Sequence, residues 1–400
     1  MRIALITETY TPEINGVAKT LARLVQELIK RGHALQIVRP KQPADTGDAQ
    51  SADVQPSPAD TVLVTGLTIP GYSALQFGLP ATGKLKSLWS ERVPDVIYVA
   101  TEGPLGWSAV KVANKLNIPV VSGFHTNFDA YSKHYRLGFL EKIIFAYLKR
   151  LHNKTRCTLA PSSQLVEELK SRGITDTHLF SRGVDTQVFS PQHRDAELRK
   201  QWTKHNDDLI CLYVGRIAAE KNISTVITAF DAMKQANEHV QLVMVGDGPL
   251  LKSLSRQRKD IVFAGAKLGN ELSRYYASAD IFLFASETET FGNVVVEAMS
   301  SGLCVVSNDY AAARMHIVNK ENGITVEFAN KEAFVESCQK LVTDKKLIQD
   351  IQLAARETAE KIDWRQVIDA FENRLASYVN QQQNDRKNSK QQAISADGSI

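Results

Sequence analysis

The sequence predicts an α/β protein built from two doubly wound, Rossmann-like halves. Three observations predict it. The chain has 400 residues, more than one hydrophobic core of roughly 250–300 residues accommodates. Short apolar runs alternate with helix-length amphipathic stretches along nearly its whole length, as when helices cover both faces of a parallel sheet. The alternation then restarts near the middle, after Gln187-Val188-Phe189-Ser190-Pro191.

In the first half the expected strands are Ile3–Ile6, Leu35–Val38, Val62–Val64, Val96–Val99, Val120–Phe124 and Thr158–Ala160. Each is short and poorly alternating, as strands buried on both faces are. Between the first two, Leu21, Leu24, Val25 and Leu28 form one stripe of a helix over Val17–Lys30, which Gly32 ends. Residues 41–60 are rich in Pro, Ala, Asp, Gln and Ser, have almost nothing to bury, and read as a surface loop. The second series is Ile210–Val214, Gln241–Val245, Ile261–Phe263, Ile281–Phe284 and Cys304–Ser307. Near the end, Trp364, Val367, Ile368, Phe371, Leu375 and Val379 mark an amphipathic helix that needs a partner surface. From Gln381 to Ile400 there is neither an aromatic residue nor an apolar period, so a disordered tail is expected. The domains expected are therefore 1–185 and 186–362, followed by a helix over 363–380 and the tail 381–400.

Composition excludes several classes. Lys+Arg 48 against Asp+Glu 44 leaves +4, too balanced to imply a nucleic-acid partner. Cys157, Cys211, Cys304 and Cys338 lie far apart with no C-x-x-C pair, which disfavours zinc sites and disulfide frameworks and fits a reducing cytoplasm. No run approaches the ~18 apolar residues that span a bilayer. The first residues, Met1-Arg2-Ile3-Ala4-Leu5-Ile6, read as a buried strand and not as a signal peptide.

The most informative stretch is Ser286-Glu287-Thr288-Glu289-Thr290-Phe291-Gly292-Asn293, which follows a strand and enters a helix carrying Glu297. Asn293 is read as its N-cap. Free amides of a first helical turn make an anion site, and Gly292 lets a ligand approach the backbone. An anion site beside two carboxylates suits a sugar nucleotide, whose diphosphate takes the amides while its hydroxyls donate to Glu289 and Glu297. The alternative is that both glutamates are ordinary solvated charges. Gly215-Arg216 and Lys221 follow the first strand of the second half and bring two cations to a strand's carboxyl end. Gly246, Gly265 and Ala266 follow the next two strands, and Gly16 opens the helix after the first strand of the chain. A dinucleotide fingerprint fails at Gly246-Asp247-Gly248, because Leu251 stands where its third glycine belongs. That counts against an oxidoreductase; a non-catalytic sugar-nucleotide-binding protein is the other competing class.

Together these residues resemble the retaining GT-B glycosyltransferases with an E-x7-E signature, over about residues 1–380. Glu289 and Glu297 match the signature, Arg216 and Lys221 the diphosphate-binding pair, and Gly16 the glycine loop. Thr11-Pro12-Glu13-Ile14-Asn15-Gly16-Val17, Ala100-Thr101-Glu102-Gly103-Pro104 and Phe124-His125-Thr126-Asn127-Phe128 are similar to the GDP-mannose-dependent alpha-mannosyltransferase branch. UDP-sugar glycolipid transferases, including sulfoquinovosyl transferases, share much of this.

The resemblance implies a GT-B fold, two Rossmann-like domains facing a central cleft, with the final helix crossing back to the first. It implies mannosyl transfer from GDP-mannose to a hydroxyl of a lipid or glycan, with no metal or cofactor. His125 matches the active-site histidine near the reacting sugar. Glu289, Phe291, Gly292 and Asn293 would meet the donor sugar, and Glu297 the ribose. Glu102, Thr126 and Asn127 are acceptor-side candidates, Glu102 alternatively capping its loop. Met315 stands where relatives usually carry a glutamate. His134 and His152 have no such support and read as surface residues. Finally, Arg136–Arg156 mixes Lys142, Lys149, Arg150 and Lys154 with Ile143, Ile144 and Leu148. It reads as a basic helix either lying on the inner face of an anionic cytoplasmic membrane or packed with a solvated basic edge.

Overall fold

The computed structural model describes residues 1–13, 15–42, 45, 59–69, 72–125, 138–203, 205 and 208–397. The chain divides into two compact units. One holds the residues up to Thr126, then Tyr135–Ser181 and everything from Gln366 onward, and the other holds Arg182–Arg365.

The first unit contains β1 (Arg2–Ile6), α1 (Gly16–Lys30), β2 (Ala34–Pro40), β3 (Asp60–Val64), β4 (Gly66–Ile69), β5 (Tyr72–Gly78), α2 (Thr82–Glu91), β6 (Val96–Val99), α3 (Pro104–Lys115), β7 (Val120–Gly123), α4 (Gly138–His152), β8 (Cys157–Ala160), α5 (Ser163–Ser171) and β9 (Thr177–Leu179). Seven strands pair in parallel in the order β3-β2-β1-β6-β7-β8-β9. The order reverses beside β1, so the loops after β1 and β6 share one carboxyl edge. Every residue of β6, β7 and β8 is buried, which is why the sequence there shows continuous apolar runs. The sequence reading missed the antiparallel hairpin β4–β5 and the three-residue edge strand β9. It also placed 41–60 on the surface, yet Gln42 is 3% exposed and donates to Tyr10 O and Glu13 Oε1. Most of that segment lies outside the described residues.

The second unit contains α6 (Ala196–Lys200), β10 (Leu209–Val214), α7 (Ile223–Ala236), β11 (Val240–Val245), α8 (Leu251–Gln257), β12 (Val262–Gly265), α9 (Gly269–Ala277), β13 (Ile281–Phe284), α10 (Asn293–Ser300), β14 (Cys304–Asn308), α11 (Ala311–His316), β15 (Ile324–Val326), α12 (Lys331–Leu341) and α13 (Lys345–Ala359). Its six strands are all parallel, in the order β12-β11-β10-β13-β14-β15. The four cysteines are free and buried.

The last helix, α14 (Trp364–Asp397), returns to the first unit from Gln366. Ile368, Phe371, Leu375 and Val379 are its buried residues, at the spacing of one helical face. Arg31 reaches Asp369 at 2.6 Å and Glu372 at 2.7 Å, and Tyr378 donates to Asp176. The helix continues to Asp397, through residues where the sequence leads one to expect a disordered tail. Polar contacts take over where the apolar stripe ends: Gln382 and Arg386 both donate to Asn117 O, and Arg156 donates to Gln382.

Helix α3 begins at Gly103, which offers no side chain to cap it. Glu8 fills the space over that glycine, where a Cβ would come within 2.1 Å of its carboxyl oxygen. Its other oxygen accepts from Gly78 N, and its own amide donates to Thr101 Oγ1 at 2.7 Å. Burial, only partly offset by the backbone N–H groups of Gly78, Leu105 and Gly106, pushes the Glu8 carboxyl up from 4.5 to about 7. The folded chain thus holds this proton more tightly than the unfolded chain does. The stability it contributes is fully present below pH 4.5 and is lost as the pH rises through about 7. The loss is on the order of 3 kcal/mol. Glu8→Gln keeps the shape without the titration, so its melting temperature relative to the wild type should climb between about pH 5 and about pH 8. Parallel melting curves at every pH would refute this role for Glu8.

Candidate active site

In the second unit the strand order reverses between β10 and β13, so the loops after these two strands lie side by side. One carries Arg216 and Lys221, the other Glu289 to Gly292. Lys221 Nζ stands 2.5 Å from Glu289 Oε1, which also accepts from Ser286 Oγ at 2.8 Å. Asn222 closes the Lys221 turn in the left-handed region, and its side chain donates to Ala285 O and Glu287 Oε1. Thr288 Oγ1 donates back to Glu220 O, and Asn308 secures Ala285 O and Ser286 O from β14. The two loops are therefore cross-linked before any ligand arrives. Arg216 pairs with Glu220 at 3.0 Å, and its side chain stays 46% exposed.

Helix α10 corrects one expectation. Its N-cap is Gly292, at φ +87°, and Asn293 is the first helical residue. A glycine there adopts the left-handed turn without strain but brings no capping oxygen. The first-turn amides are left without a side-chain cap, which strengthens the anion-site reading. Asn293 Oδ1 is buried with no hydrogen-bond partner among the described residues. Phe291 is buried, its carbonyl accepts from Ala312 N, and the Arg182 guanidinium lies 6.0 Å from its ring centre. One turn into the helix, Glu297 Oε2 accepts from Tyr276 OH at 3.0 Å. Burial first, and then Glu297, hold that phenol far above its usual range.

The remaining donor-side residues divide. A Cβ on Gly246 would sit 1.9 Å from Gly215 O, so its glycine is explained by the close approach of two loops. Gly265 ends the outermost strand, β12, and Ala266 follows it, with open space over Gly265. Met315 packs against the core of this unit in place of an acid. Next to it, burial lowers the His316 imidazole to about 4, so it is neutral near pH 7. Among the described residues no group of three His, Cys, Asp or Glu side chains is placed to hold a metal ion.

In the first unit, Asn15 caps α1 through Ala18 N at 2.8 Å, and Gly16 is an exposed first-turn residue. His125 follows β7, is 8% exposed, and meets Tyr98 OH at 3.1 Å. Glu102 lies in the loop after β6, with its carbonyl accepting from Tyr147 OH at 2.8 Å. Its carboxylate faces His152 Nε2 at 3.7 Å. His152 is consequently no surface residue: it is 1% exposed, and Ser122 Oγ and Thr158 Oγ1 meet its Nδ1. Thr126, Asn127, His134 and Arg136 lie outside the described residues. Of α4, Leu148 and Leu151 point inward, while Ile143, Ile144 and Tyr147 are exposed beside Lys142, Lys149 and Arg150. Among the described residues no helix is long and apolar enough to cross a membrane.

Sequence reasoning gave no role to Ser286, three residues before Glu289, and missed Asn222, Asn308 and Tyr276, which also hold the glutamates and their loops. No linear signal marks the last three, because their partners lie far away in sequence.

Known proteins resemble this chain over most of its length. The family described as Glycosyl transferases group 1 matches residues 194–358, and Glycosyltransferase Family 4 matches residues 14–188. A GDP-mannose-dependent alpha-mannosyltransferase of Corynebacterium glutamicum is 30% identical over 365 residues, 91% of this chain and 86% of its own. A sulfoquinovosyl transferase of Arabidopsis thaliana is 32% identical over 306 residues, 74% of this chain and 59% of its own. The crystal structure of Anabaena HepE in complex with UDP superposes with a TM-score of 0.75 at 18% identity, covering 94% of this chain and all of that one. Two parallel Rossmann-like sheets, the paired loops of the second and this kinship over most of the sequence place the chain in the family of GT-B glycosyltransferases, near its mannosyltransferase branch.

Proposed function

We propose that this hexosyltransferase moves mannose from GDP-mannose to a hydroxyl of a lipid or glycan, with retention of configuration and without a metal ion. The observation that carries the reading is the Lys221–Glu289 pair, which stands beside Gly292 at the uncapped start of α10. As the bond to the sugar breaks, negative charge gathers on the departing diphosphate. Arg216, Lys221 and the α10 amides are fixed donors for that charge. Glu289, held by Lys221 and Ser286, accepts hydrogen bonds from hydroxyls of the transferred sugar. Glu297, steadied by Tyr276, does the same for the ribose. The acceptor hydroxyl attacks from the leaving-group face, and His125 takes the part of the catalytic histidine.

Relatives named for GDP-mannose support this donor. The resemblance to UDP-sugar glycolipid transferases favours a second reading, a UDP-sugar donor and a glycolipid product. A thermal-shift panel of GDP- and UDP-sugars separates them, since a ligand at about 100 times its Kd stabilises by roughly 2.7 kcal/mol. GDP-mannose should give the largest shift; a larger one from any UDP-sugar overturns the donor assignment.

Arg216→Ala and Lys221→Ala should each lower turnover by roughly two orders of magnitude or more, as when a fixed donor to a developing anion is lost. Lys221→Ala should be the more damaging, because it also leaves Glu289 without its partner. Turnover should persist in EDTA; its loss, with recovery on adding manganese, would rule out the metal-free mechanism.

The exposed face of α4 supports docking on an anionic membrane, with apolar side chains seated and lysines at the headgroups. Each basic residue near such a surface contributes on the order of 1 kcal/mol. The protein should sediment with anionic vesicles at low salt and be released as salt rises. Replacing Lys149, Arg150 and Lys154 with Gln should abolish sedimentation, whereas a wild type indifferent to vesicles shows α4 to be an ordinary packed helix.

A further inference from the structure

The aromatic cluster of the first unit leads to His125. Tyr98, on β6, is 1% exposed and lies opposite Val121 of the neighbouring β7. Its phenol oxygen nevertheless stands 3.1 Å from Nε2 of His125, beyond the end of β7. The path crosses Gly123, the last residue of that strand. A Cβ at Gly123 would lie 2.5 Å from the Tyr98 oxygen and 2.8 Å from His125 Nε2, inside the contact limit of both. Any larger residue there would wedge the two groups apart.

The tyrosine is also held from behind. Phe371 of α14 meets its ring edge-on, with centroids 5.0 Å apart, and Phe180 does so at 6.4 Å. Phe180 and Phe371 are themselves 4.9 Å apart, closing a three-ring cluster. Such packing leaves the ring little freedom to swing its hydroxyl away. A phenol has one proton to donate, and a neutral imidazole that accepts it at one nitrogen carries its own proton on the other.

We propose that Tyr98 is a positioning residue for His125: its hydroxyl, passing over Gly123, donates to Nε2, fixes the plane of the imidazole and keeps the ring proton on Nδ1. This rests on the reading of His125 as the catalytic histidine. It gives α14 a part in the site, since Phe371 is one of the two rings behind Tyr98. It also assigns Gly123 a functional reason, clearance for one hydrogen bond.

The test uses Tyr98→Phe, which keeps the ring and its two aromatic neighbours and removes only the hydroxyl. Nitrogen NMR of the histidine side chains, with the His125 signals identified by their absence in His125→Gln, should show the Nδ1–H tautomer in the wild type. In Tyr98→Phe the same signals should move toward a mixture of tautomers. With GDP-mannose as the probe, the kcat of sugar release should fall roughly ten- to a hundredfold while the donor KM changes little, as expected for a misplaced group. Gly123→Ala should change both readouts in the same direction. In a His125→Gln background, Tyr98→Phe should cost nothing further. An unchanged tautomer in Tyr98→Phe, an Nε2–H tautomer in the wild type, or a full additional loss in the His125→Gln background would each overturn the proposal. If the wild type does not consume GDP-mannose, the proposed function fails, and the NMR comparison still decides the Tyr98 contact.

Discussion

Everything at the candidate site of the second unit depends on the reversal of strand order between β10 and β13. Parallel strands send all their carboxyl ends to one edge, and the reversal parts the flanking connections there. Two loops distant in sequence are left as neighbours over that gap. Opposite charges then find each other, Lys221 from one loop and Glu289 from the other. An ion pair in this position does more than hold two loops. It sets a cation and a carboxylate side by side near a helix start.

The first unit uses the same sheet design with different chemistry. Its reversal lies between β1 and β6, and the groups that gather there are carboxyls and imidazoles. Glu8 sits over the start of α3, Glu102 faces His152, and His125 meets Tyr98. One edge pairs cations with carboxylates across two loops; the other sets carboxyls beside imidazoles and a phenol.

Much of this was legible in the sequence because buried parallel strands leave apolar runs that helices cannot imitate at that length. The strands missed were those without such runs: the hairpin at Gly66–Gly78, and the three-residue edges at Thr177–Leu179 and Ile324–Val326. The charged site residues were legible because glycine turns at strand ends announce them. Their supports were not. Tyr276 reads as one more core aromatic until it is found under Glu297, and His152 reads as a surface residue until Ser122 and Thr158 close around it. Asn293 misled for a related reason. Its side chain suits an N-cap, but the left-handed turn required a glycine, which moved the cap one residue back.

The return of α14 has a consequence for how the protein is made. A chain leaving the ribosome presents the strands of the first unit early, but Ile368, Phe371 and Leu375, which complete that unit's core, come only after the whole second unit. Domains fold as units during synthesis, in the order in which their residues emerge. Here the second unit has all its residues before the first does, so the first to begin is the last to finish. Until its final helix arrives, the older unit waits with the apolar bed for Phe371 uncovered. Premature termination near the end would therefore spare the second unit and strike the one that was made first.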